Sequence, residues 1–114
     1  MKIDKSLMSG STTLLILGLL KSGDMYGYQM IEELERRSQN IFTLKAGTLY
    51  PILHTLEQQG MIESYDAELE SVRPRKYYRI TKAGTKLLEE KKTEWTAYTT
   101  AVNEVLGGLN YAGI

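Results

Sequence analysis

From Thr43 to Gly60 the chain reads TLKAGTLYPILHTLEQQG, and this stretch carries the clearest pattern in the sequence. Gly60 supplies a helix stop, because glycine readily takes a positive φ just after the last turn. The face opposite the apolar stripe is polar or aromatic and has no acid, as a helix lying against a phosphate backbone requires. An ordinary surface helix is the alternative. The stripe itself has the i, i+3, i+4 and i+7 spacing of a buried helix face: Leu49, Ile52, Leu53 and Leu56.

Two helical segments are predicted before this stretch, at residues 5–21 and 26–37. The first is apolar on more than one side, so one side packs into the core and the other is expected to meet a second subunit. The second has one apolar stripe and one charged face, and a short extended link joins it to the next helix. This is the helix-turn-helix arrangement, whose second helix enters the major groove by its N-terminal residues.

After Gly60 the hydrophobic period changes from that of a helix to that of a strand. Residues 62–67 and 75–80 alternate as two strands, and the polar loop between them makes a hairpin. A hairpin that follows a helix-turn-helix is a wing. Its tip is basic and lies in a stretch without acids, which suits contact with phosphates beside the groove. A solvated hairpin is the alternative interpretation.

The last predicted helix begins after Thr81, which suits an N-cap, and runs from Lys82 to about Leu106. Because the wing is assigned to DNA, the apolar seam of this helix is expected to pair with a second copy of the chain. The fold predicted is mainly α with a small β-hairpin: a winged helix-turn-helix DNA-binding domain at residues 1–81, and a dimerisation helix with a frayed tail at 82–114. The seam repeats at heptad spacing: Leu88, Trp95, Val102 and Leu109.

Composition excludes several classes of function. The chain has 114 residues, zero formal net charge, no Cys and a single His, which excludes a disulfide framework, thiolate catalysis and a Cys-ligated zinc site. Neither a Gly-rich phosphate loop nor a paired acid motif supports an enzyme, and no cofactor is expected. The first residues lack a signal-peptide pattern and the longest apolar run is too short to span a bilayer, so we expect a cytoplasmic protein.

Four motifs, in this order along the chain, resemble the PadR family of bacterial transcriptional regulators: Gly23–Tyr28, Gly47–Tyr50, Leu56–Ile62 and Arg75–Gly84. The short single C-terminal helix is similar to the subgroup with small C-terminal domains. The resemblance implies a homodimer on a roughly palindromic operator, usually repressing, with some members released by small aromatic or multidrug-like compounds. Multidrug-responsive relatives also carry an aromatic residue at the position of Trp95. Many relatives carry Arg or Lys where this chain has His54, so the base preference stays open.

The residues and the resemblance together indicate two candidate sites. Lys45 and Tyr50 are expected to contact phosphate, and Thr48 or His54 to approach base edges. The full predicted DNA-binding set is Tyr28, Lys45, Gly47, Thr48, Tyr50, His54, Arg73, Arg75 and Lys76. The predicted ligand-binding set, at the interface between two subunits, is Trp95, Leu7, Leu14, Gly18 and Tyr98.

Two indole rings with small residues between them would leave a flat slot for a planar ligand. Because Tyr98, Thr99 and Val102 are uncharged, a neutral or weakly charged aromatic ligand is favoured over a strong cation. The alternative is that Trp95 simply fills the interface. For the whole chain we predict a homodimeric repressor of a palindromic operator. The alternative is a winged-helix protein–protein interaction module without operator binding, whose wing tip would be apolar rather than basic.

Overall fold

The computed structural model describes residue 1 and residues 3–67 and 74–107, which form helices packed on a small antiparallel sheet. This confirms the predicted fold class, a winged helix-turn-helix followed by one long C-terminal helix. The strands lie in the order β1-β3-β2. Along the chain the elements are α1 Lys5–Ser9, α2 Thr12–Lys21, β1 Met25–Tyr26, α3 Gly27–Arg37, α4 Ala46–Gln58, β2 Ile62–Ala67, β3 Arg75–Ile80 and α5 Lys82–Val105.

The prediction of one continuous helix over residues 5–21 is wrong, because the chain breaks between α1 and α2. The Met8 carbonyl accepts hydrogen bonds from the hydroxyls of Ser11 and Thr12, at 3.0 Å each, and from the Ser11 N–H at 2.9 Å. Serine and threonine hydroxyls compete in this way with regular helical hydrogen bonding. The result is a short separate helix, α1, ahead of the buried helix α2.

A third strand, β1, turns the predicted hairpin into a three-stranded sheet. Met25 pairs with Tyr78 and Tyr26 with Tyr77, so β3 lies in the middle of the sheet. The predicted strands at residues 62–67 and 75–80 are confirmed to the residue, and they pair from Ile62 with Ile80 to Ala67 with Arg75. Because β1 includes Tyr26, α3 begins one residue later than the pattern predicted.

The core is a single apolar cluster to which the helices and the sheet all contribute. Leu49, Leu53 and Leu56 of α4 are buried, which confirms the predicted stripe, while Ile52 is only half-buried. The side chains that are almost fully enclosed are Ile16, Leu17, Leu20, Met30, Leu49, Leu53, Ile62 and Leu88. The presence of Leu88 shows that the first turns of α5 belong to the same packing unit as the winged helix.

Helix α5 starts inside the core and leaves it. The Thr81 side chain caps the helix by accepting from the Gly84 N–H at 3.1 Å, as the sequence predicted. Further along, Trp95, Tyr98 and Val102 are exposed on one face of the helix. Leu109, the last residue of the predicted heptad seam, lies outside the described residues. No helix in residues 3–67 and 74–107 is both long and apolar enough to cross a membrane.

Candidate nucleic-acid interface

Helix α4 presents an exposed face that is polar from its N-cap to its third turn. Lys45 is the N-cap residue, and Lys45, Gly47, Thr48 and His54 are all exposed, while Leu49 packs inward. A Cβ atom added at Gly47 would meet nothing within 4 Å, so the backbone here is open to the approach of another molecule. The first turn carries no acid, and its N–H groups favour a neighbouring anion. Gly47 and Thr48 lie in the first turn of α4, and His54 lies about two turns beyond Gly47.

Tyr50 occupies a more constrained place than the sequence indicated. Its ring is 40% exposed, but its hydroxyl end lies against Gly27, where a Cβ atom would overlap it. Burial raises the pKa of the Tyr78 hydroxyl, and the nearby Tyr50 adds to that rise. Tyr50 thus joins α4 to the first residue of α3 and to the sheet. The sequence contained a signal for this contact, a glycine at the start of α3, which we did not connect with Tyr50.

The start of α3 lies beside this contact and is also suited to an anion. Tyr28, the second residue of the helix, is 62% exposed. The N-cap residue Tyr26 makes no side-chain cap bond among the described residues, and the first turn has no acid. Free N–H groups at a helix N-terminus attract negative charge. The predicted residue Tyr28 is therefore close in the fold to Tyr50, although it is distant in sequence.

The basic side chains of the wing do not form one surface. Arg75 and Lys76 are consecutive in β3, and successive side chains of a strand point to opposite faces of the sheet. The Arg75 guanidinium carbon lies 4.5 Å from the centroid of the Tyr26 ring, whereas Lys76 Nζ lies 5.9 Å from that of buried Tyr78. Lys76 is therefore on the core face of the sheet and Arg75 on the outer face. Arg73, also predicted to bind DNA, lies outside the described residues.

Among the described residues, some basic side chains form ion pairs with carboxylates and others do not. Arg79 contacts Asp24 Oδ2 at 3.4 Å and Glu63 Oε1 at 3.3 Å, so much of its charge is compensated within the chain. The other paired cations are Arg36, Arg37 and Lys92. Within residues 3–67 and 74–107, neither Lys45 nor Arg75 nor Lys76 has a carboxylate partner. The three basic residues predicted to touch DNA and described by the structure are thus among the cations that no carboxylate of the described residues neutralises.

A second candidate site is a cleft of about 360 Å³ between α1, α2 and α5. It brings together four of the five predicted ligand residues, since Gly18 is not part of its wall. The Trp95 and Tyr98 ring centroids lie 6.2 Å apart with the planes tilted by 32°. The surroundings of Trp95 were expected to be uncharged, and this is wrong, because Lys91 and Glu94 line the same cleft. The cleft is lined by Ser6, Leu7, Gly10, Leu14, Lys91, Glu94, Trp95 and Tyr98.

Known proteins with similar sequences and structures point to one function. Residues 16–90 match the family described as the transcriptional regulator PadR-like family. The transcriptional regulator Rv3488 of Mycobacterium tuberculosis is 33% identical over 96 residues, which cover 84% of this chain and 83% of that protein. A transcriptional regulator from Clostridium thermocellum has a similar structure, with a TM-score of 0.83, 33% identity, and 90% of this chain and 96% of that one covered. A PadR family transcription regulator from Clostridium difficile gives a TM-score of 0.73 and 36% identity, with 85% and 99% covered.

Proposed function

The chain belongs to the PadR-like family of transcriptional regulators, and on that premise we propose that it is a homodimeric repressor of a palindromic operator. As a member of this family it is a DNA-binding transcriptional regulator and not an enzyme. The observation that carries the finer proposal is the acid-free exposed face of α4, together with cations at Lys45 and on the wing that have no carboxylate partner within residues 3–67 and 74–107. A protein–protein interaction module would present apolar side chains at these places.

We assign distinct roles to the residues of this surface. Lys45 and Tyr50 contact phosphate and fix the register, and Thr48 or His54 reads base edges. Gly47 lets the backbone approach the groove, because no side chain covers it. Tyr28 at the start of α3, and Arg75 and Lys76 of β3, contact the sugar–phosphate backbone. Residues 1–81 carry these contacts, and the C-terminal segment, residues 82–114, carries dimerisation together with α1.

The test is a titration of labelled duplex DNA at several salt concentrations. The slope of log K against log salt is negative, and Lys45→Ala should reduce its magnitude by about 0.9, because it removes one phosphate contact. Lys86→Ala is the matched control, because it removes the same charge from an exposed site on α5. His54→Ala should reduce discrimination between duplex sequences more than it reduces affinity for all of them. Equal slopes for wild type and Lys45→Ala would show that Lys45 at the start of α4 does not contact DNA. Failure of the wild type to bind any duplex at low salt would favour the protein–protein interaction module.

Dimerisation is proposed through α1 and the outer part of α5. Leu7, Trp95, Tyr98 and Val102 are apolar residues exposed in the single chain. A two-fold dimer that buries them would place two recognition helices about 34 Å apart, one turn of duplex. Truncation of α5 is a poor test, because Leu88 belongs to the core.

Point substitution in the full chain tests the dimer instead. Val102→Asp places a charge on the proposed interface and should give a monomer in analytical ultracentrifugation. Thr100→Asp introduces the same charge about half a helical turn away and should leave the dimer intact. Both positions are exposed in the single chain, so neither change disturbs the core. A dimer that survives Val102→Asp would place the interface elsewhere.

We further propose that the cleft beside Trp95 takes a small planar aromatic effector. The indole and the Tyr98 ring supply apolar surface, and Lys91 with Glu94 supplies one charge of each sign, so an amphoteric aromatic molecule is accommodated as well as a neutral one. An effector releases DNA only when it binds the DNA-incompetent dimer more tightly than the DNA-bound one.

Fluorescence of Trp95, the only tryptophan in the chain, provides the assay for this effector site. Quenching by a planar aromatic compound together with loss of DNA affinity is the expected result. Quenching without a change in DNA affinity would show a pocket that does not control binding. No quenching by a broad panel of compounds would leave Trp95 as interface packing.

A further inference from the structure

The outer face of the sheet carries three tyrosine rings in a row across its strands. Tyr26, Tyr77 and Tyr65 are direct cross-strand neighbours, so their side chains share one face. The ring centroids of Tyr26 and Tyr77 are 5.5 Å apart in an edge-to-face arrangement, and those of Tyr77 and Tyr65 are 5.9 Å apart and stacked. The row therefore joins β1, β3 and β2 into one aromatic surface.

Two arginines lie on this surface at equivalent positions on either side of Tyr77. Arg75 and Arg79 are each two residues from Tyr77, so both point to the same face. The Arg75 guanidinium covers the Tyr26 ring at 4.5 Å and the Arg79 guanidinium covers the Tyr65 ring at 4.6 Å. Each arginine is thus in contact with the ring that lies diagonally across from it on a neighbouring strand.

The surroundings of the two arginines differ in charge. Arg79 bonds Glu63 and Asp24, and these contacts raise its pKa, with the Glu63 hydrogen bond as the largest cause. The Tyr65 hydroxyl adds to this network by donating a hydrogen bond to Asp24 Oδ2 at 2.6 Å. Arg75 has no carboxylate partner in residues 3–67 and 74–107. The Tyr26 ring holds its guanidinium without neutralising it.

We propose that Tyr26 is a positioning residue that holds Arg75 ready for a DNA phosphate, while Arg79 only stabilises the sheet. A ring under the flat side of a guanidinium leaves the N–H groups at its edge free to donate to a phosphate. It also restricts a long side chain that would otherwise lose rotamer freedom on binding. The inference rests on the proposed contact between the wing and DNA. It separates Tyr26, which acts through Arg75, from the residues that touch DNA themselves.

The alternative is that the Tyr26 ring merely strengthens the pairing of β1 with β3 through its contact with Tyr77. In that case Tyr26 would influence DNA binding through folding alone, whichever residue stands at position 75. A double-mutant cycle distinguishes the two, because only a positioning role makes the effect of the ring depend on the arginine.

The experiment measures the affinity of the full chain for a fluorescein-labelled duplex of about 30 base pairs and mixed sequence at low salt, since phosphate contacts do not depend on sequence. Tyr26→Leu should weaken binding about two- to fivefold, the range expected for an exposed cation–π contact. Tyr26→Phe keeps the ring and should bind like wild type. In an Arg75→Ala background, Tyr26→Leu should have no further effect. Arg75→Lys keeps the charge without the planar group and should make the effect of Tyr26→Leu smaller than it is with arginine.

Each outcome decides the inference. Thermal unfolding of every variant checks folding, and if Tyr26→Leu does not fold, Tyr26→Val, which removes the ring but keeps a side chain that favours strands, replaces it in the same cycle. An equal loss from Tyr26→Leu with and without Arg75 would assign the ring a structural role only and overturn the proposal. If Arg75→Ala binds the duplex as well as wild type, the proposed wing contact fails and the inference fails with it. Arg79→Ala is the control, and it should lower the midpoint of unfolding without changing the salt dependence of DNA binding.

Discussion

Replacement of Gly84 by alanine should separate the long helix from the winged helix at their junction. A Cβ atom at this position would overlap the Met61 carbonyl oxygen and lie 2.9 Å from the Met61 carbonyl carbon and 2.8 Å from Ile80 Cγ1. Ordinary contact between carbon atoms begins near 3.4 Å. Met61, which directly precedes β2, must therefore move away from α5 by at least about 0.5 Å. The oxygen cannot retreat alone, because it accepts from both the Thr81 N–H and the Thr81 hydroxyl at 3.0 Å.

The cost has two parts that the structure allows us to estimate. Retreat of the Met61 carbonyl would break its hydrogen bond from the Thr81 N–H, at a cost of about 1 kcal/mol, whereas the Thr81 hydroxyl keeps its shorter bond to the Gly60 carbonyl, at 2.7 Å. Forced overpacking adds about 1–3 kcal/mol. We therefore expect Gly84→Ala to lower the free energy of unfolding by about 2–4 kcal/mol, out of the roughly 5–15 kcal/mol of a typical domain. The midpoint of thermal unfolding should fall by about 10 °C or more for a chain of this size.

The assay is urea and thermal unfolding followed by circular dichroism at one fixed protein concentration, because dimerisation makes the midpoint depend on concentration. Gly47→Ala is the matched control. That site is helical and open, so alanine there should be neutral or stabilise the fold by up to about 1 kcal/mol. A loss below about 1 kcal/mol for Gly84→Ala would show that α5 shifts freely against the sheet, and the reasoning about a tight junction would be refuted.

Three further predictions follow from specific contacts. Gly27→Ala should displace the exposed Tyr50 ring, costing under about 1 kcal/mol of stability but weakening binding to every duplex; in a Tyr50→Ala background it should have no effect on binding. Thr81→Ala should cost about 0.5–2 kcal/mol of stability through loss of the α5 cap, and Thr81→Ser should restore most of it in the same urea assay. Hydrogen bonds from Arg36, and to a lesser extent from Arg37, lower the pKa of Glu33 from 4.5 to about 2. The stability that these contacts contribute is therefore complete above about pH 4.5 and is lost as the pH falls toward 2. Wild type and Glu33→Gln should thus differ in stability at neutral pH and converge in acid unfolding, whereas a constant difference would assign the effect to something other than this carboxylate.

Periodic elements of the fold were predictable because their side chains are sorted by burial. The stripe of α4 and the two long strands lie where the apolar spacing indicated, since each buries one face against the same core. Two residues are too few to show a period, so β1 was missed. The break after α1 depends on hydroxyls that bond the Met8 carbonyl, a choice that residue types permit but do not require.

The candidate site was predictable only in part, because it depends on pairing between distant segments. Arg75 and Lys76 were predicted to act together because they are adjacent in the sequence. Consecutive residues of a strand, however, point to opposite faces of the sheet. Recognising Arg79 as a structural cation requires the register that puts Glu63 opposite it and the turn that brings in Asp24. Lys91 lies one helical turn before Trp95, and this spacing alone places the two side chains on neighbouring parts of the helix surface.

The junction at Gly84 links the two proposed activities through one helix. The Leu88 side chain fixes α5 to the core that also holds α4, and the helix continues from there past Trp95 to Val105. From Leu88 to Val105 the helix extends about 25 Å at 1.5 Å per residue. A rotation of about 10° about its buried end would therefore move its tip by about 4 Å, set against a spacing of about 34 Å between half-sites. In the proposed dimer, the proposed effector beside Trp95 would bind to the part of α5 that follows Leu88, so it would change the distance between two recognition helices without deforming either one.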